Sequence, residues 1–234
     1  MYPDQKQKNQ INEIKVNQDY YLNETKAIYD LTIELEELTL LGYAWNKIYN
    51  VAFLKSIGAL FQSITMIEDI LFNVEVFHSL GSLNVLSITP YHYMKRGTSS
   101  LTNKYLPDYY ILHRRRIEAV YELYVGWYQW EKDIPDRVKQ ILGARYVRYI
   151  YSAMMRNHDH RAAMGSKERV SFLSDVYKDK LYQSLQYYAA SDRKVEQLMI
   201  QLIRRQCMFV LILARLMYIA QTCKWNLYTS LKKL

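Results

Sequence analysis

Apolar positions fall at helical spacing along most of the chain, and the exceptions are short. Ile28, Leu31, Leu35, Leu38 and Leu41 recur at intervals of three and four, which predicts a helix from about Glu24 to Leu41, stopped by Gly42. Residues 1–25 are polar and rich in Asn, Gln and Lys, and read as a frayed start. GYAWNKIYN, Gly42 to Asn50, is short and aromatic: a strand, or an extended turn into a helix over VAFLKSI that Gly58 ends. Thr65-Met-Ile-Glu68 fits a capping box, in which Thr65 bonds the Glu68 N–H and Glu68 reaches back to the Thr65 N–H. A helix from Met66 to about Leu80 follows, with Ile67, Ile70, Leu71, Val74 and Phe77 on one side and Gly81 as its breaker.

The next stretch changes period. SLNVLSI has the apolar content of a short strand, and YHYMKR reads as a second, with Tyr91 and Tyr93 on one face. RGTSSLTNKYLP is a loop by composition. From Asp108 onward the pattern is helical. Ile117, Val120, Tyr121, Tyr124 and Tyr128 mark one helix. Ile134 to Met155, Val170 to Tyr188, and Asp192 to about Thr222 carry three more. The expected fold is mainly α with a small β element. A boundary near Leu106 separates residues 1–106 from a basic, α-helical region at 107–234.

Composition narrows the class. Half of the 234 residues are hydrophobic, enough for a real core and against wholesale disorder. Seven Gly and four Pro are too few for an all-β sandwich with its many tight turns. Cys207 and Cys223 form no metal or redox motif and fit a reducing compartment. Met1 leads into a polar stretch, so no secretory signal is visible. Charge is divided unevenly: residues 1–80 carry 6 Lys/Arg and 11 Asp/Glu, and residues 81–234 carry 25 and 12. The basic second half calls for an anionic partner or is simply a solvated basic surface.

Four features carry candidate chemistry. CMFVLILARLMYIA, Cys207 to Ala220, is apolar nearly all round but short for a span and contains Arg215. Flanked by Arg204, Arg205, Lys224, Trp225, Tyr228, Lys232 and Lys233, it is either a helix lying in a membrane interface or one that packs the helical half together. His158-Asp-His160 reads as a charged helix end, because histidines two apart on a helix point to different faces. Arg114-Arg115-Arg116 reads as a solvated face or a phosphate contact. The 23 tyrosines read mostly as half-buried packing. There is no P-loop, GxGxxG, nucleophile elbow or zinc spacing, which leaves carboxylates as the groups for catalysis, and the pair Glu68-Asp69 stands out.

In that light an ordered set of residues is informative: Trp45-Asn46-Lys47, Phe61, Glu68-Asp69 opening a helix, Asn73, a strand, then Tyr91, Tyr93, Arg96 and Ser99. From about Leu40 to Tyr105 this order resembles the acceptor-side half of a family 2 glycosyltransferase of the GT-A fold, followed by a helical tail like that of bacterial members. The resemblance implies an incomplete GT-A-like α/β remnant with an α-helical tail. It implies Asp69 as catalytic base, at the bottom of an open, sugar-sized hollow beside Trp45. Glu68 is its capping and orienting partner, Trp45 a wall for a sugar ring, and Lys47, Arg96 and Ser99 face phosphate or acceptor groups. A helix N-terminus stabilises a carboxylate, so a base there gains from positioning rather than basicity.

The complete enzyme would use a nucleotide-sugar donor and a divalent metal, Mg or Mn, held by an Asp-x-Asp motif. No Asp-x-Asp occurs in the 234 residues and no βαβ pattern precedes Trp45. The resemblance therefore implies a C-terminal part of such an enzyme, inactive alone, with a donor-binding half missing or with self-association in its place. Its partners would be a glycan or lipid-linked acceptor and an anionic membrane surface met by residues 204–234 on the cytoplasmic side of the inner membrane, with nucleic acid disfavoured. The alternative is a non-enzymatic, basic helical protein that binds nucleic acid or an anionic membrane, in which Glu68-Asp69 is merely a cap.

Overall fold

A computed structural model describes residues 12–92, 105–130, 133–191 and 194–222. In order, the elements are β1 (Tyr20–Leu22), α1 (Thr25–Glu37), α2 (Val51–Ile57), α3 (Glu68–His78), β2 (Leu83–Val85), α4 (Tyr109–Trp127) and α5 (Asp136–Arg156). A 3₁₀ turn (His160–Ala162) leads on to α6 (Ser166–Lys178), α7 (Lys180–Leu185), α8 (Lys194–Arg204) and α9 (Phe209–Thr222). The protein is mainly helical with one small antiparallel sheet, as the apolar spacing implies.

The sheet holds a correction. SLNVLSI supplies β2, but its partner is β1, inside the polar stretch read as frayed. Tyr20, Tyr21 and Leu22 face Val85, Asn84 and Leu83. Ser87 extends the join by donating from its amide to Asp19 Oδ1 (2.6 Å) and from its hydroxyl to the Val16 carbonyl (2.7 Å). Tyr91 and His92 form no strand, and the rest of YHYMKR lies outside the described residues. GYAWNKIYN is the turn of the two readings, not the strand.

Helices α4 and α5 pack against each other at the centre, α3 lies on α4, and α1, α7, α8 and α9 lie on α5. The buried cluster is continuous from Leu31 and Leu41 through Ile117 and Val120 to Leu142, Ile150, Leu173 and Ile203, so it crosses the region around Leu106. Gly143 in α5 lies against the C-terminal end of α7. A Cβ there would stand 2.7 Å from the Leu185 carbonyl and 3.2 Å from the Ala189 nitrogen, so only glycine permits this approach.

Two helices are broken where the spacing continues. The expected helix over Val170 to Tyr188 divides at Asp179, whose backbone is extended and whose carboxylate caps α7 by accepting the Leu181 amide (3.0 Å). The expected helix from Asp192 to Thr222 divides at Gln206, which takes the left-handed conformation (φ 53°) while Cys207 donates back to the Leu202 carbonyl (2.9 Å). Both breaks turn an apolar face back onto α5, and tertiary packing overrides helical propensity.

The three consecutive arginines of α4 point to three places, as the 100° step of a helix requires. Arg114 forms a bidentate pair with Asp179, 2.7 and 3.1 Å, and Tyr146 donates to the same carboxylate at 2.6 Å. Arg115 reaches Gln62 at the surface (2.7 Å). Arg116 forms a bidentate pair with Glu36 of α1, 2.7 and 2.9 Å, and Arg145 of α5 meets the same carboxylate at 3.2 Å. Arg114 and Arg116 are thus internal ties, and the solvated-face reading applies only to Arg115.

His113, one position before Arg114, is buried between the rings of Tyr109 (4.2 Å) and Tyr149 (3.9 Å), and among the described residues neither of its nitrogens has a hydrogen-bond partner. Burial, with Arg116 and Arg156 nearby, lowers its pKa from 6.5 to about 4. The unfolded chain therefore binds more protons than the native one between those values. Its contribution is complete above pH 6.5 and is lost as pH falls towards 4. Urea denaturation across that interval should show stability falling by about 1.4 kcal/mol per pH unit from this residue, and His113→Phe should flatten that slope.

Candidate functional site

The loop between α1 and α2 meets the N-terminal half of α3, and most of the candidate residues gather there. α1 ends before Gly42 because Thr39 adopts φ 63° and the amides of Leu40 and Leu41 fold back to the Leu35 carbonyl (2.7 and 3.1 Å). The loop then wraps around one ammonium group. Lys47 Nζ donates to the carbonyls of Leu40 (2.9 Å), Leu41 (3.0 Å) and Tyr43 (2.6 Å) and to Asn46 Oδ1 (2.9 Å). Burial pulls the Lys47 pKa down to about 7, while the charges of Asp69 and Glu36 hold it up. The four oxygens also favour the ammonium, since a neutral amine has only two N–H groups to offer them. Its donors are spent inside the protein, so Lys47 shapes the loop rather than facing outward as expected.

Two residues one turn apart on α3 pin this loop. Asp69 Oδ2 accepts the Ala44 amide at 3.2 Å. Asn73, fully buried, donates to the Leu41 carbonyl (2.9 Å) and accepts from the Tyr49 hydroxyl (2.6 Å). Positions i and i+4 share a helix face, so both side chains reach the same segment. Tyr49 is pushed well above the usual phenol range, by burial first and by the negative charge of Asp69 second. Asp69 is half-buried, and its Oδ1 has no hydrogen bond among the described residues.

The capping box is not formed. α3 starts at Glu68, preceded by Ile67 as N-cap with no side-chain cap, and Met66 takes φ 84°. Ile67 is buried in the core. Drawing it inward starts the helix past Thr65, so the hydroxyl no longer faces the orphan amides. Among the described residues Glu68 Oε2 is buried without a hydrogen bond, and no bond joins Glu68 to the Thr65 amide as the capping pattern implied.

Trp45 follows Ala44 directly and is the middle ring of a three-ring stack. Tyr43 lies 4.8 Å from its indole on one side and Tyr91 lies 4.3 Å away on the other, each inclined by 28°. All three rings are exposed. Phe61 stacks on Phe72 of α3 (4.1 Å, 9°). An open depression of about 260 Å³ runs along α2, lined by Val51, Leu54, Lys55, Gly58, Ala59 and Leu60, and takes in neither Asp69 nor Trp45. Arg96 and Ser99 lie outside the described residues.

Among the described residues no group of three His, Cys, Asp or Glu is placed to hold a metal ion. His158 and His160 sit at the end of α5 and in the 3₁₀ turn, as their spacing implied. Comparison with protein-family models, with curated proteins and with solved structures returns no match.

Proposed function

We propose that this chain forms the acceptor side of a sugar-transferring enzyme resembling the family 2 glycosyltransferases, with Asp69 as the general base. One observation carries the reading. Asp69 and Asn73, a turn apart on α3, hold the loop whose next residue is Trp45, so separate pieces of the resembling set form one interlocked unit. An exposed aromatic stack on a loop that a half-buried carboxylate anchors suits a sugar, whose C–H faces lie on rings while its hydroxyls seek acceptors.

In the reaction, Asp69 Oδ1 takes the proton of an acceptor hydroxyl as that oxygen bonds to the anomeric carbon of the donor sugar. The bond from that carbon to the nucleotide diphosphate breaks, its electron pair leaves with the diphosphate, and the configuration inverts. The donor is a nucleotide sugar, and because no Asp-x-Asp is present the reading assigns its binding to a separate part. Acceptors are glycans or lipid-linked sugars at the cytoplasmic face of the inner membrane. Arg96 and Ser99 remain assigned to acceptor groups.

The test is acceptor binding by the chain as it stands. Saturation-transfer NMR across a panel of oligosaccharides should find contacts to the stack, and Trp45→Ala should weaken the best of them about tenfold. Unchanged affinity in that variant removes the stack from the acceptor site.

A further inference from the structure

Helix α9 buries one face and leaves another bare. Val210, Ala214, Met217 and Ala220 face α5 and α8. Phe209, Ile212, Leu216 and Ile219, at spacings of three and four, are each 39–57 % exposed, and Met208, just before the helix, is exposed as well. Scattered apolar side chains need no explanation, but four aligned on one helix face do. Arg215, exposed, lies on α9 next to Leu216 of this stripe, and Arg205, also exposed, lies in the turn that leads into the helix. From residue 197 to residue 234 the sequence holds six Lys or Arg and no Asp or Glu. No helix among the described residues is long and apolar enough to cross a membrane, and α9 has 14 residues.

We infer that α9 docks this protein onto an anionic lipid surface, lying in the interface plane with Phe209, Ile212 and Leu216 among the acyl chains and Arg205 and Arg215 at the headgroups. The apolar stripe supplies burial and the absence of acids supplies the charge match. A nucleic acid would engage the cations but leave the stripe in water. A second copy of the chain would cover the stripe but bring the same cations against each other. A lipid surface of negative charge satisfies both features at once. The inference rests on α9 and not on Asp69, and its assay contains no sugar, so either reading fails without the other.

The experiment is sedimentation of the full chain with vesicles of phosphatidylcholine alone or with about 30 % phosphatidylglycerol, at low and physiological salt. Binding should be at least about tenfold tighter to the anionic vesicles and should weaken as salt rises. Ile212→Glu combined with Leu216→Glu should abolish it while the far-ultraviolet circular dichroism melt is unchanged, since both side chains already face water. Arg205→Gln with Arg215→Gln, which leaves the stripe intact, should reduce binding to anionic vesicles about fivefold or more and leave binding to neutral ones unaltered. If the double glutamate variant misfolds, the arginine pair decides. Equal binding to both vesicle types, binding that survives both variants, or a stable dimer that the glutamates dissolve would each overturn the inference, as would tight DNA binding indifferent to the glutamates.

Discussion

Glu36→Ala is expected to lower unfolding stability by about 3–5 kcal/mol, the range found when one member of a buried ion pair is removed. Glu36 is fully buried, and it faces two guanidinium groups whose side chains are only 10 % and 11 % exposed, those of Arg116 and Arg145. Burial alone would push the Arg116 pKa down, yet the charge of Glu36 more than reverses this and holds it above the ordinary value. Without the carboxylate, two cations remain in a space with little water and like charge nearby. Arg145 also donates to the Glu36 carbonyl at 2.6 Å, capping the end of α1, so the same group ties α1, α4 and α5. Urea unfolding followed by circular dichroism measures the loss. A change under about 1 kcal/mol means that water enters the site and screens the pair. Replacing all three residues by apolar side chains of similar volume should cost less than the single change, because no charge is then stranded.

Asp69→Asn is expected to reduce sugar transfer about 10²–10⁴-fold, the usual contribution of a positioned general base. The assay requires the chain supplied with a donor-binding part and a nucleotide sugar. Asparagine is the informative replacement because its Oδ1 still accepts the Ala44 amide, so the loop bearing Trp45 stays anchored while the proton acceptor is gone. Alanine would lose both roles and confuse them. With asparagine, kcat should fall and acceptor affinity, which depends on the stack, should hold. Near-normal turnover by this variant takes Asp69 out of the chemistry and leaves it as the pin of a loop.

Sequence pattern reveals much of the helical frame because helices announce themselves locally. VAFLKSI is α2, with Asn50 capping its start and Gly58 at φ 68° closing its end. The helix expected over Ile134 to Met155 appears as Asp136–Arg156. What the pattern conceals depends on contacts between distant residues. β1 is three residues long and lies 63 positions from its partner, so no local signal marks it. The break at Asp179 serves a carboxylate shared with Arg114 and Tyr146, and the displaced start of α3 serves the burial of Ile67. One clue was visible. Glu36 continues the stripe of Ile28 and Thr32 at intervals of four, and an acid on a buried stripe demands a buried cation. For the site, the order Trp45, Lys47, Asp69, Asn73 could be read from the letters, but that Lys47 is consumed by carbonyls could not.

The three consecutive arginines of α4 act as a key with three teeth. One engages the α6–α7 junction, one the segment before α3, and one the end of α1. Sliding α4 by a single residue, or rolling it by a fraction of a turn, would disengage all three together. The central helix therefore has one seating in its socket, and nearby alternative registers are closed to it even where its apolar residues would still find apolar neighbours.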